Sequence, residues 1–195
     1  MYKYSILVNN IYRSESMKKI LALLFLLLFI TGCGGSNARM ATENYLKKYR
    51  NLNSEVLVDL ENIVDKENLT ENQKDKYREV LKKQYKDLTF EIIEEEYDNE
   101  VSYVTVEVSV YDLYKAQSDA SIYLQNNQDK FLDDDGNYDP SKFIDYKLDK
   151  MKDMTNKVEY TIVFTVTKED DKYVVEQPTD DDLLKIHGVY NYELE

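Results

Sequence analysis

From Tyr103 to Tyr111 the side chains alternate without a break. Val104, Val106, Val108 and Val110 share one parity, and Tyr103, Thr105, Glu107, Ser109 and Tyr111 share the other. A period of two, with one β-branched apolar face and one polar face, describes a strand buried on one side only, as in an antiparallel sheet with one covered face. The pattern recurs as Val158, Tyr160, Ile162, Phe164 and Val166 against Glu159, Thr161, Val163 and Thr165. Two further strands complete two hairpins. Residues 90–97 lead into the first long strand through Asp98-Asn99, and residues 173–176 follow the second after a turn at 168–171.

Helical spacing occupies the rest. Tyr45, Leu46, Tyr49, Leu52, Val56, Leu57, Leu60, Ile63 and Val64 recur in steps of three and four, with an interruption at residues 51–54. Thr70 with Gln73 forms a capping box and opens a helix whose buried face is Tyr77, Val80, Leu81, Tyr85 and Leu88. Residues 112–131 return to helical spacing through Leu113, Ala116, Ala120, Tyr123, Leu124 and Phe131. After an acidic loop, Asp139 as N-cap and Pro140 open a helix to about Thr155 that buries Phe143, Ile144, Leu148 and Met151. A last helix over 179–187 ends at Gly188. The order α-α-β-β-α-α-β-β-α predicts a single α+β domain over residues 41–192. Its expected architecture is a curved antiparallel sheet of about four strands with helices on the apolar face.

The stretches YKDLTFEI and YDNEVSYVTVEVSVYD, followed later by VEYTIVFTVTKEDDKYVV, resemble the exported lipoproteins of low-GC Gram-positive bacteria that carry an NTF2-like (cystatin-like) domain. The resemblance implies a helical pair, then a strand hairpin, then a closing hairpin that ends near an aromatic residue. Tyr173 takes that place, where Trp is more usual. The helical insertion at 112–155 departs from the simplest members. Binding modules, assembly domains and a few enzymes share this fold, so it implies no activity by itself.

The leader points the same way. Met17-Lys18-Lys19 precedes eleven apolar residues, 20–30, and the only cysteine, Cys33, follows Ile30-Thr31-Gly32. A cationic start, a short apolar run and small residues at a cleavage point describe a signal peptide. The run falls short of the roughly 20 residues that span a bilayer. Ile30-Thr31-Gly32-Cys33 resembles the lipobox of bacterial lipoproteins. That resemblance implies cleavage between Gly32 and Cys33 and a diacylglyceryl group on the Cys33 thiol. Residues 1–16 read as an upstream extension with translation starting at Met17 or Met1, residues 17–32 as the signal peptide, and residues 33–40 as lipidated cysteine and flexible tether. Two acyl chains give stable attachment where one gives marginal binding. The expected location is the extracytoplasmic face of the cell membrane.

Charge narrows the partners. The whole chain carries −13. Removal of residues 1–32 takes Lys3, Arg13, Lys18 and Lys19 against Glu15, which leaves −16. Such a surface repels nucleic acid and anionic headgroups and keeps an exported domain soluble. The expected partners are the membrane, through the anchor, and an envelope protein or a small ligand.

Catalytic motifs are scarce. No serine of the exported part sits in a G-x-S-x-G elbow or an S-x-x-K motif, and no glycine-rich phosphate loop is present. His187, the single histidine, falls at a helix end, where it suits the helix dipole. Asp133, Asp135 and Asp139 in DDDGNYD offer oxygens to a weakly held Ca²⁺ or simply form a polar turn. An EF-hand register fails there, because Gly136 at loop position 6 puts Phe131 and Lys142 where acidic ligands belong. Tyr45 and Tyr49 are spaced as the tyrosine pairs that ligate haem from a strand in some surface proteins. On a helix the same spacing places both rings on one packing face. No cofactor is expected. Tyr103, Thr105, Glu107 and Tyr111, on the wet strand face, make a candidate partner surface, since tyrosine is enriched at interfaces.

The resulting expectation is a non-enzymatic binding or scaffolding lipoprotein. A ligand-capturing accessory to a transporter is the alternative, and a carboxylate-based hydrolase ranks third. Cys33→Ala is expected to leave the protein unprocessed or to move it from the membrane to the soluble fraction. A variant that fractionates and migrates like the parent would refute the anchor.

Overall fold

The computed structural model describes residues 36–98 and 100–194. The expected signal peptide, over residues 17–32, and the expected lipidation site at Cys33 lie outside the described residues. Helices α1 (Asn37–Arg50), α2 (Ser54–Lys66) and α3 (Glu71–Asp87) precede strands β1 (Thr89–Asp98) and β2 (Val101–Tyr111). Then come α4 (Leu113–Asn126), a 3₁₀ turn (Gln128–Phe131), α5 (Pro140–Lys152), β3 (Lys157–Glu169), β4 (Lys172–Val175) and α6 (Asp180–His187), with a closing 3₁₀ turn at Tyr192–Leu194. The architecture is α+β, with one four-stranded antiparallel sheet in the order β1-β2-β3-β4. Among the described residues no helix is long and apolar enough to cross a membrane.

The folded part begins earlier than the tether reading placed it. Residues 37–40 are the first turn of α1, and Ala38 is buried. Ala38, Thr42, Leu46 and Tyr49 form the buried stripe of that helix, and its first turn contributes to the stripe rather than to a linker. The third helix starts as expected: Thr70 accepts from the Gln73 amide, and Gln73 returns the bond to the Thr70 amide. Helix α5 opens with Asp139 accepting from Ser141 and Lys142 and with Pro140 in the first turn. It stops at Lys152, before the expected Thr155.

Register follows the hydrophobic pattern. Val104, Val106 and Val108 on β2 stand opposite Phe164, Ile162 and Tyr160 on β3, all facing the helices. A slip of one residue would turn every one of these side chains to water. Each fully buried Val contributes about 1.5–3 kcal/mol relative to exposure. A bulge between Ile92 and Glu94 disturbs β1, and it leaves Ile93 exposed.

The helices do not all lie on the sheet. Leu46, Val56, Leu60, Val64, Leu81, Tyr85, Leu88 and Ile186 pack with the inner strand residues in the main core. Helices α4 and α5 pack instead against α3, through a second cluster of Val80, Leu113, Ala116, Leu148 and Met151. Helix α3 is thus shared by both cores. Its docking is fixed by Gln84, which is fully buried. The Gln84 amide donates to the Tyr111 carbonyl (3.3 Å) and accepts from the Tyr111 amide (2.9 Å).

Gly188 closes this junction. It ends α6 in a left-handed conformation with φ 74°. A Cβ there would lie 2.2 Å from Gln84 Nε2 and 2.3 Å from the Tyr111 carbonyl oxygen. Gly188→Ala is therefore expected to cost at least about 2 kcal/mol, from left-handed strain plus a displaced buried hydrogen bond. Urea denaturation checks this as a lower midpoint at unchanged slope. An unchanged midpoint would show that the junction yields freely.

Candidate functional site

A half-open cavity of about 710 Å³ lies among α1, α2, the β4–α6 segment and α6. Helix α1 supplies Ala41, Tyr45 and Tyr49 to its interior, and α2 supplies Val56 and Ile63. Tyr173 and Val175 of β4 and Leu183 and His187 of α6 complete the apolar and aromatic lining. The rim is polar: Asn44 and Lys48 stand on α1, Glu55, Asp59, Asn62 and Lys66 on α2, and Gln177 follows β4. Its volume falls in the range of roughly 300–1,000 Å³ usual for a small-molecule site, and its lining mixes apolar and aromatic side chains with about as many polar and charged ones.

The aromatic interior is a connected set. The Tyr45 and Tyr49 hydroxyls lie 3.4 Å apart. The Tyr49 ring meets Tyr85 edge-on at 5.2 Å between centroids. The Tyr85 hydroxyl and His187 Nδ1 share a hydrogen bond of 2.9 Å. Burial holds the Tyr45, Tyr49 and Tyr85 hydroxyls above the ordinary tyrosine value, and the nearby Asp59 carboxylate adds to it. All three are therefore neutral phenols, able to donate a hydrogen bond but poorly suited to ligate iron as phenolates. The Tyr45–Tyr49 pair does pack on one face, as its helical spacing indicates, yet that face also lines the cavity.

His187 differs from its expected role. A protonated ring at a helix end would gain from the dipole, but this ring is half-buried at the cavity wall, packed against Tyr85 and Tyr49. Desolvation pushes its pKa down to about 4. The neutral ring is a packing partner and hydrogen-bond acceptor or donor for Tyr85, not a cap cation.

The acidic loop brings no metal ligands together. Asp133 Oδ1 accepts from the amides of Asp135 (3.0 Å) and Asn137 (2.8 Å), which holds its carboxyl below the usual range. Asp139 caps α5. Each of these two carboxylates thus serves its own backbone. Among the described residues no group of three His, Cys, Asp or Glu converges on a point.

The candidate partner surface divides. Tyr103, Thr105 and Glu107 do lie on the sheet face that no helix covers, and Tyr103 is 37% exposed. Tyr111 is engaged within the molecule. Its hydroxyl donates to Asp87 (2.9 Å), and the Lys83 ammonium sits 4.6 Å from its ring centroid. The same face carries Ile93 and Val163, 55% and 52% exposed, which sequence reading did not single out. Comparison with protein-family models, curated proteins and solved structures gives no significant match.

The His187 pKa gives a pH test. Folded His187 titrates near 4, against about 6.5 in the unfolded chain. Between those values the unfolded state binds the extra proton, so stability falls as pH drops from 6.5 to 4, by at most about 3 kcal/mol. His187→Phe also loses the Tyr85 bond, but that cost is constant with pH. The variant is expected to show a shallower loss of stability than the parent across this window. Parallel pH–stability curves would exclude a desolvated histidine.

Proposed function

We propose that this chain is a lipid-anchored extracytoplasmic binding protein that holds a small ligand in the cavity among α1, α2, β4 and α6, without catalysis. The observation that carries the reading is the cavity itself: about 710 Å³ with a tyrosine-rich interior and a hydrophilic rim. The leader with its lipobox-like Ile30-Thr31-Gly32-Cys33 supports the anchor and compartment. Helices ahead of the β1–β2 hairpin and a closing β3–β4 hairpin support kinship with the NTF2-like lipoproteins, although three helices rather than a pair come first and α4 and α5 separate the hairpins. Holding a ligand for a transporter fits the same cavity. A second reading, scaffolding through protein contact, is favoured by the exposed Ile93, Tyr103 and Val163 on the uncovered sheet face.

Asn62→Trp tests the cavity reading. Asn62 is an exposed rim residue of α2, and surface changes of this kind usually move stability by within about 0.5 kcal/mol. The indole is expected to occupy the cavity, leave the melting temperature nearly unchanged, and abolish any small molecule retained by the full-length protein in native mass spectrometry. Equal retention by the variant would refute the cavity reading.

A further inference from the structure

We propose that the ligand is a short zwitterionic peptide of about two to four residues, its amino terminus on Asp59 and its carboxylate on Lys66. This rests on the cavity reading above and narrows it to a ligand class.

The rim is electrically unlike the rest of the chain. A protein of net charge −13 presents here two cations, Lys48 and Lys66, and two anions, Glu55 and Asp59. Lys48 and Glu55 neutralise one another at 2.7 Å. Asp59 and Lys66 have no ion-pair or hydrogen-bond partner among the described residues. They therefore stand at the cavity as one free negative and one free positive group on the same helix. The Asp59 field reaches the interior, where it contributes to holding the Tyr45, Tyr49 and Tyr85 hydroxyls neutral.

Their spacing sets a length. Seven residues on a helix rise about 10.5 Å, and three residues of extended chain span at most about 10–11 Å. The long Lys66 side chain adjusts this by a residue either way. A single amino acid, whose two charges sit on one carbon, is too short to meet both groups. Asn62 lies between the two charges on the same helix, and the rim also offers the side-chain amides of Asn44 and Gln177. None of the three has a hydrogen-bond partner among the described residues. Amides donate and accept at once, as the peptide backbone requires. The apolar and tyrosine interior suits a peptide side chain pointing inward. A neutral sugar would leave both charges without a counterpart, and an anion would meet Asp59.

Titration calorimetry of the full-length protein in detergent tests this with the tripeptide Ala-Leu-Ala. The free peptide is expected to bind. Acetylating its amino terminus or amidating its carboxylate is expected to weaken binding about tenfold each, the effect of losing one charge-assisted contact. Asp59→Asn is expected to erase only the acetyl discrimination, and Lys66→Gln only the amide discrimination. Both positions are exposed, so folding is not at issue. Equal binding of the doubly blocked peptide would overturn the terminal recognition while leaving a ligand cavity. No peptide binding, with some other small molecule retained by the parent and lost in Asn62→Trp, would overturn the peptide and keep the cavity. Peptide binding that survives Asn62→Trp would overturn the assignment of the site.

Discussion

Gln84 is where four elements meet. Its amide sits in α3, and both of its hydrogen bonds go to the backbone of Tyr111 at the end of β2. One residue later α4 is capped by Asp112, whose carboxylate accepts from the Lys115 amide. Gly188 lies against the same amide from the end of α6, and its carbonyl accepts from Tyr114 at 2.8 Å. A buried amide that satisfies two backbone groups is costly to disturb, because either group left unpaired keeps its full desolvation penalty. The junction also builds the site. Tyr85 and His187 are the immediate chain neighbours of Gln84 and Gly188, so locking those two residues places the Tyr85–His187 pair beneath the cavity.

Local pattern made the framework legible. Strand alternation depends only on residues two apart, and the Thr70–Gln73 box, the Asp139–Pro140 start and the Gly188 stop each depend on chemistry within one turn. Interactions between distant segments were not readable in the same way. Gln84 looks like any polar position on a helix until β2 ends beside it. His187 looks like a helix-end cation until α3 and α1 close over its ring. The bulge at Ile93 was hidden because Ile92-Ile93 satisfies either parity. The cavity is assembled from residues 41 to 187 in four separate segments, and no periodicity joins them. The one available hint was that Tyr45 and Tyr49 are large and polar-tipped for a packing face, a choice that suits a surface meeting both core and solvent.

Charge sorted itself by local need. Asp133 and Asp139, two of the three aspartates that looked most like ligands, are bound to their own turn and helix end, where each carboxylate accepts backbone amides. On the outer sheet face Glu91 and Glu107 stand directly opposite one another, an arrangement that costs a few tenths of a kcal/mol. The cavity rim is the contrast. Its positive and negative groups balance, and the pair left over is separated along one helix rather than joined.

The cavity depends on the corner between its two helices. Leu52 joins α1 to α2 with φ 49°, a left-handed conformation costly for a residue with a branched side chain. Asparagine or glycine would take it more cheaply. The corner is held by hydrogen bonds from the amides of Asn51, Leu52 and Asn53 to the carbonyls of Lys47, Tyr49 and Lys48, at 2.9 to 3.0 Å, while the Leu52 side chain packs on the main core. Helix α2 is thereby turned to bury Val56, Leu60 and Val64 while its Asp59–Asn62–Lys66 edge borders the opening. A relaxed corner would let α2 change its angle and alter the distance between its rim and β4. The strained position persists because the three amide hydrogen bonds and the core packing of Leu52 hold it together.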